Sequence, residues 1–303
     1  MPKIAFLFPG QGAQTVGMGR ALYDEVPAAR MLFDRAGELL GFDLKAICFD
    51  GPAEALEATD VSQPAIYVAS LAALEGLRLT DPSVIEACEG AAGLSLGEYT
   101  ALQFAGTFDF DTGLAIVRKR GEVMQTAAVA SPSGMTSILG LDETKVDELC
   151  RKVEPHGRLW KANMLGPGNI VVSGDLEGLA QVEAIATELG AGRVIPLAVA
   201  GAFHSPLMAP AARSLEMTFG GADFKNPRIP VYSNVDTIAH PDPSEIRRSL
   251  IAQVTGGVRW EESIRRMIAD GYDTFYEIGP GRVLTGLLKR IDRKIPCTNV
   301  PAR

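Results

Sequence analysis

Between Met135 and Leu197 the residues fall into the order strand, helix, strand, strand, helix, strand, and no other feature restricts the possible folds of this chain as strongly. Residues 136–139 read as a strand, 143–153 have helical spacing, 158–163 and 169–173 are strand-like, 176–189 are helical and 193–197 close the unit as a strand. A β-α-β-β-α-β order is that of a ferredoxin-like subdomain. The flanking chain follows another pattern. Ile4-Ala-Phe-Leu-Phe8 is an apolar run of strand length stopped by Pro9-Gly10, as expected of a strand buried on both faces of a parallel sheet. Helical periodicity follows over 27–40 and 62–79, then a small, apolar strand over 85–93 and helices over 98–105 and 110–130. Ser131-Pro-Ser-Gly134 breaks the pattern and marks a boundary. Beyond Leu197 the α/β order resumes with a helix at 206–219, a strand at 229–232, helices at 244–254 and 260–270, a strand at 274–278 and a closing helix after Gly279-Pro-Gly281. The expectation is an α/β protein whose large domain, 1–131 and 198–303, carries a parallel sheet and is interrupted by a ferredoxin-like subdomain at 132–197.

A chain of 303 residues, 47% hydrophobic and 22% charged, can bury a full core. Its formal charge, 29 − 37 = −8, argues against a nucleic-acid surface, so any basic docking site must be local. Cys48, Cys88, Cys150 and Cys297 lie far apart without the Cys/His spacing of a zinc site, and no metal is expected. The first apolar run is too short for a signal segment, and every later one is interrupted by charge, Pro or Gly before it could span a membrane. These readings point to a cytoplasmic protein that binds neither nucleic acid nor membrane.

Gly93-Leu-Ser-Leu-Gly97 fits Gly-x-Ser-x-Gly, in which the glycines permit the sharp strand-to-helix turn that lifts a serine hydroxyl from the sheet. A strand precedes it and a helix follows, which favours function over a chance match among 32 glycines. Ser95 is the candidate nucleophile, and the Leu96 amide at the helix N-terminus is placed to receive an oxyanion. A serine needs a base. Of the three histidines, His156 and His240 lie in polar or Pro-rich turns, and His204 sits where the chain re-enters the large domain, just before a helix. Arg120, in a helix rich in Ile, Val and Met, has the planar fork that holds a carboxylate; the alternative is a surface arginine in the run Arg118-Lys-Arg120.

Phe8-Pro-Gly-Gln-Gly-Ala-Gln14, Gly93-Leu-Ser-Leu-Gly-Glu-Tyr99, Arg120-Gly121, Gly201-Ala-Phe-His-Ser205 and Glu277-Ile-Gly-Pro-Gly281 together resemble, in order and spacing, the malonyl-CoA:acyl carrier protein transacylases, the FabD family. The resemblance runs from Lys3 to about Ile295. It implies an α/β-hydrolase-like large domain with a ferredoxin-like insertion, Ser95 as nucleophile, His204 as base, and the backbone carbonyl near Gln253 in place of a third carboxylate. It further implies an oxyanion hole from the amides of Gln11 and Leu96, Arg120 on the malonyl carboxylate, Phe203 as a residue that goes with malonyl rather than methylmalonyl use, and Asn163 among the substrate contacts. The chain departs from the family at Leu94, where a His is usual, and at Leu165 and Asn169, where a second Asn and a Gln are common.

The expected reaction is ping-pong transfer of malonyl from malonyl-CoA to the phosphopantetheine thiol of an acyl carrier protein, in fatty-acid or polyketide synthesis, by a monomer without metal or other cofactor. A serine hydrolase could use the same elbow and base, but it has no need of a carboxylate clamp. A carrier-binding module without catalysis is disfavoured because serine, base and clamp occur together. For the acidic carrier, the basic C-terminal stretch offers Lys289, Arg290, Arg293 and Lys294, with Arg247-Arg248 and Arg265-Arg266 next in line.

Overall fold

In the computed structural model, which describes residues 2–303, strand β1 (Ile4–Phe8) is buried along its whole length. Its side chains alternate: Ile4, Phe6 and Phe8 enter one apolar cluster, while Ala5 and Leu7 enter another on the opposite face. Such a strand needs cover on both sides, and it has neighbours on both edges. It pairs in parallel with β2 (Cys88–Gly93). The four strands β3 (Ser133–Leu139), β4 (Leu159–Gly166), β5 (Asn169–Asp175) and β6 (Arg193–Pro196) form a separate antiparallel sheet in the order β4-β5-β3-β6. The chain then returns to the first sheet with β7 (Val231–Tyr232), β8 (Thr274–Gly279) and β9 (Cys297–Pro301), giving an all-parallel order β7-β2-β1-β8-β9. Helices Glu143–Val153 and Leu176–Glu188 cover the antiparallel sheet with a core of its own around Ile138, Leu149, Val172 and Val182.

The long periodic segments form as expected, with helices at Pro27–Leu40, Phe110–Ala130 and Pro243–Thr255. The second long helix begins at Thr59 rather than 62, which sets Pro64 inside it. The stretch expected as one strand over 85–93 divides into a short helix, Pro82–Glu86, and β2. Ser131-Pro132 interrupts the chain as read, but Ser133 and Gly134 already belong to β3. Among the described residues, no helix is long and apolar enough to cross a membrane.

Candidate active site

Two turns meet at the carboxyl ends of β1 and β2, the edge at which parallel sheets present their loops to ligands. One carries Gln11; the other is Gly93-Leu-Ser-Leu-Gly97, which delivers Ser95 and opens into helix Gly97–Phe104. Its glycines are steric requirements. A Cβ on Gly97 would lie 2.0 Å from the Phe8 carbonyl oxygen, and one on Gly93 would lie 1.9 Å from the Gly97 carbonyl carbon. Ser95 itself takes φ 51°, the left-handed conformation a side chain resists. The strain is held by Asn234, whose Oδ1 accepts from the Ser95 amide at 2.7 Å and whose Nδ2 donates to the Gly93 carbonyl at 2.8 Å.

His204 also has a positive φ, 57°, and is buried. Its Nε2 lies 2.8 Å from Ser95 Oγ and its Nδ1 2.7 Å from the Gln253 carbonyl oxygen. That carbonyl can only accept, so Nδ1 carries the proton and Nε2 faces the serine as the basic nitrogen. Burial first, and then the Arg120 charge, push the imidazole down to about 4, which keeps it unprotonated at neutral pH.

Arg120 is not the surface residue that its neighbours Arg118 and Lys119 suggested; it is 1% exposed. Nη1 donates to Gln63 Oε1 at 2.7 Å, and Nη2 donates to Gln253 Oε1 at 3.0 Å and to Ser95 Oγ at 2.9 Å. The guanidinium sits over the Tyr99 ring at 5.2 Å, and Nε has no partner among the described residues. Burial draws its pKa down, but from so high a start that it remains a cation. Every hydrogen-bond partner it has is neutral.

Ser95, His204 and Arg120 line a cavity of about 470 Å³ together with Gln11, Asn163 and Phe203. Met135, Leu165 and Val171 contribute apolar wall from the antiparallel sheet, so the cavity lies between the two sheets. Leu94, at the position of the family's usual His, lines it with an apolar side chain while its backbone ties the elbow to Phe8 and Gly97. Among the described residues the Leu96 and Gln11 amides donate to no protein acceptor. Lys289, Arg290, Arg293 and Lys294 are exposed and do not line the cavity, whereas Val283, at the start of the same helix as the first two, does. His240, read as a solvated turn residue, is partly buried between Asp236 at 2.8 Å and Glu245 at 3.6 Å.

Gln63, Asn234, Glu98 and the side chain of Gln253 went unread in the sequence. Each is a buried polar residue whose role depends on what it faces.

Residues 5–299 match the acyl transferase domain family. The malonyl CoA-acyl carrier protein transacylase of Bacillus subtilis is 45% identical over 296 residues, covering 97% of this chain and 92% of the relative. The chain belongs to the malonyl CoA-acyl carrier protein transacylase family. Its fold agrees with the acyl-carrier-protein S-malonyltransferase of Bartonella henselae at a TM-score of 0.94, with 39% identity, covering 98% of this chain and 95% of that one. A malonyl-transacylase solved in complex with a type II PKS acyl-carrier protein superposes with a TM-score of 0.92 at 36% identity, covering 99% of this chain and 95% of that one. The transacylase assignment is consistent with an elbow, a base and a buried arginine meeting in one cavity.

Proposed function

We propose that this transacylase moves a malonyl group from malonyl-CoA to the phosphopantetheine thiol of an acyl carrier protein through a malonyl ester on Ser95. The observation that carries the reading is Arg120: a buried guanidinium, 2.9 Å from the serine oxygen, with only neutral partners. A buried cation without a directly paired counter-ion costs several kcal/mol, and an acyl group ending in a carboxylate offsets that cost as it binds.

His204 Nε2 takes the Ser95 proton as Oγ forms a bond to the thioester carbon. The oxyanion is received by the unpartnered amides of Gln11 and Leu96. As the C–S bond breaks, His204 returns the proton to the departing CoA sulfur. The carrier's thiol then gives its proton to His204, attacks the ester carbon and releases Ser95 Oγ, which recovers the proton. Phe203 and Asn163 close the cavity around the acyl group, and Phe203 disfavours a methylmalonyl branch. The steps are carried by protein side chains and backbone amides, in a cytoplasmic monomer whose catalytic domain, 1–131 and 198–303, carries residues 132–197 as an insertion.

Intact-protein mass spectrometry after mixing with malonyl-CoA should show one malonyl adduct, absent in Ser95→Ala. Arg120→Ala should lower malonyl loading far more than acetyl loading. Release of free malonate at the rate of transfer would favour a hydrolase, and an adduct on Ser95→Ala would remove the elbow from the mechanism.

A further inference from the structure

Glu98 and Glu277 are the buried carboxylates among the described residues. Glu277 has a structural occupation, accepting from the Leu284 and Thr285 amides at 2.9 and 2.8 Å at the start of helix Val283–Ile291. Glu98 lies behind the active site, in the first turn of the helix that follows Ser95; it does not line the cavity and is buried, with 3% of its surface exposed. One of its oxygens, Oε2, accepts from Gln253 Nε2 at 2.7 Å and from the Asn234 amide at 3.2 Å.

Gln253 is where the active-site contacts converge. Its backbone oxygen holds His204 and its Oε1 holds Arg120, while its Nε2 donates to the Ser95 carbonyl at 3.0 Å as well as to Glu98. A glutamine amide is a donor at one end and an acceptor at the other, and in isolation it can turn over. Here Arg120 can only donate and the Ser95 carbonyl can only accept, and Glu98 adds the shortest bond on the donor side. Turned over, the amide would face NH₂ against guanidinium and oxygen against three oxygens, those of Ser95, Glu98 and, at 3.4 Å, Asn234 Oδ1.

We propose that Glu98 is a positioning residue for acyl selection: by accepting from the Gln253 side chain it keeps that amide's oxygen on Arg120, and so holds the guanidinium in the orientation that reads a substrate carboxylate. The arrangement places a buried acid near the clamp without pairing with it. A direct ion pair would neutralise the charge that the substrate carboxylate needs; one intervening amide leaves the guanidinium with neutral hydrogen-bond partners only. The inference rests on the reading of Arg120 as the carboxylate clamp.

The test is the ratio of malonyl to acetyl loading rates, counted per Ser95 that can be labelled, so that misfolded protein drops out. Glu98→Ala should lower the ratio about tenfold or more, whereas Glu98→Gln, which can present an oxygen at the Oε2 position, should restore it to within about threefold. Glu98→Asp, one methylene shorter, should fall between them and decides the matter if the alanine variant does not fold. Because Glu98 acts through Gln253, Glu98→Ala combined with Gln253→Leu should give the ratio of Gln253→Leu alone. Equal slowing of both acyl groups in the Ala and Asp variants, with the ratio unchanged, would overturn the proposal and leave Glu98 a structural residue. If Arg120→Ala itself left the ratio unchanged, the clamp would be at fault instead, and the positioning role would fall with it.

Discussion

Ser95 and His204 both hold left-handed backbone angles, and both are fixed by neighbours that form no bond to substrate: Asn234 for the serine, the Gln253 carbonyl for the histidine. The strain sits in the backbone of the two residues whose side chains must meet. Protonation at this point has a definite sign. His204 is held down to about 4 from 6.5, so its neutral form contributes stability above about pH 6.5 that is lost as pH falls through about 4. Glu98 is pushed the other way by burial, from 4.5 up to about 7, so its neutral form stabilises below about pH 4.5 and that contribution is lost as pH rises through about 7. The two residues share Gln253 and oppose each other between those limits. For the reaction, the acid limb of acylation should lie well below the ordinary histidine value of 6.5. Arg120 is the second cause of that depression, so Arg120→Ala should move the limb upward without bringing it to 6.5, because burial remains. Rapid-mixing acetylation by acetyl-CoA across pH, with circular dichroism to confirm the fold, measures it. A limb that stays in place would mean that burial alone sets the histidine.

At the scale of elements, the turn after β2 is a packing solution before it is a catalytic one. Gly97 lies against the Phe8 carbonyl of the neighbouring strand, which cannot rotate away, so Gly97→Ala should cost about 3 kcal/mol or more and abolish labelling of Ser95. Gly286 makes the opposite case within helix Val283–Ile291: a Cβ there meets nothing within 4 Å, and Gly286→Ala should stabilise by about 0.5–1 kcal/mol. Thermal unfolding of the two variants should shift in opposite directions. The same contrast explains what the sequence could show. Helices 110–130 and 143–153 were legible to the residue because their apolar spacing is long and regular. Arg20–Glu25, Leu44–Asp50 and Ala53–Glu57 were not, being too short for a period to register. Nor was β9, Cys-Thr-Asn-Val-Pro, an edge strand that owes its pairing to β8 rather than to its own residues. In the site, the elbow was legible because glycine spacing encodes a turn. Gln63 and Asn234 were not, since a buried glutamine in an apolar helix looks the same in a one-letter string whether it faces an arginine or a loop.

For the molecule as a whole, a net charge of −8 must be reconciled with an acidic carrier partner, and the distribution of ion pairs shows where that can happen. Arg265 is paired with Glu261 at 2.7 Å and Arg266 with Asp270 at 3.0 Å. Arg247 is drawn onto the Phe224 ring and the Ala222 carbonyl, and Arg248 lies 3.8 Å from Glu245. These pairs, the second choice on sequence grounds, are therefore largely spent on their own surface. Lys289, Arg290, Arg293 and Lys294 stand exposed with no acidic partner among the described residues, and the helix bearing the first two starts at Val283 on the cavity wall. At 1.5 Å per residue, Lys289 is only about 9 Å along the axis from that wall, within reach of a carrier whose arm enters the cavity. Charge reversal at these four positions should raise the KM for carrier protein while leaving malonyl loading of Ser95 from CoA unchanged. Exposed charges are screened over about 8–10 Å near physiological ionic strength, so the difference from the unaltered enzyme should narrow as salt is raised. Steady-state transfer at several salt concentrations, set beside single-turnover loading from malonyl-CoA, separates the outcomes. A KM increase indifferent to salt would assign these residues to the fold, and an equal loss of loading would assign them to the phosphates of CoA.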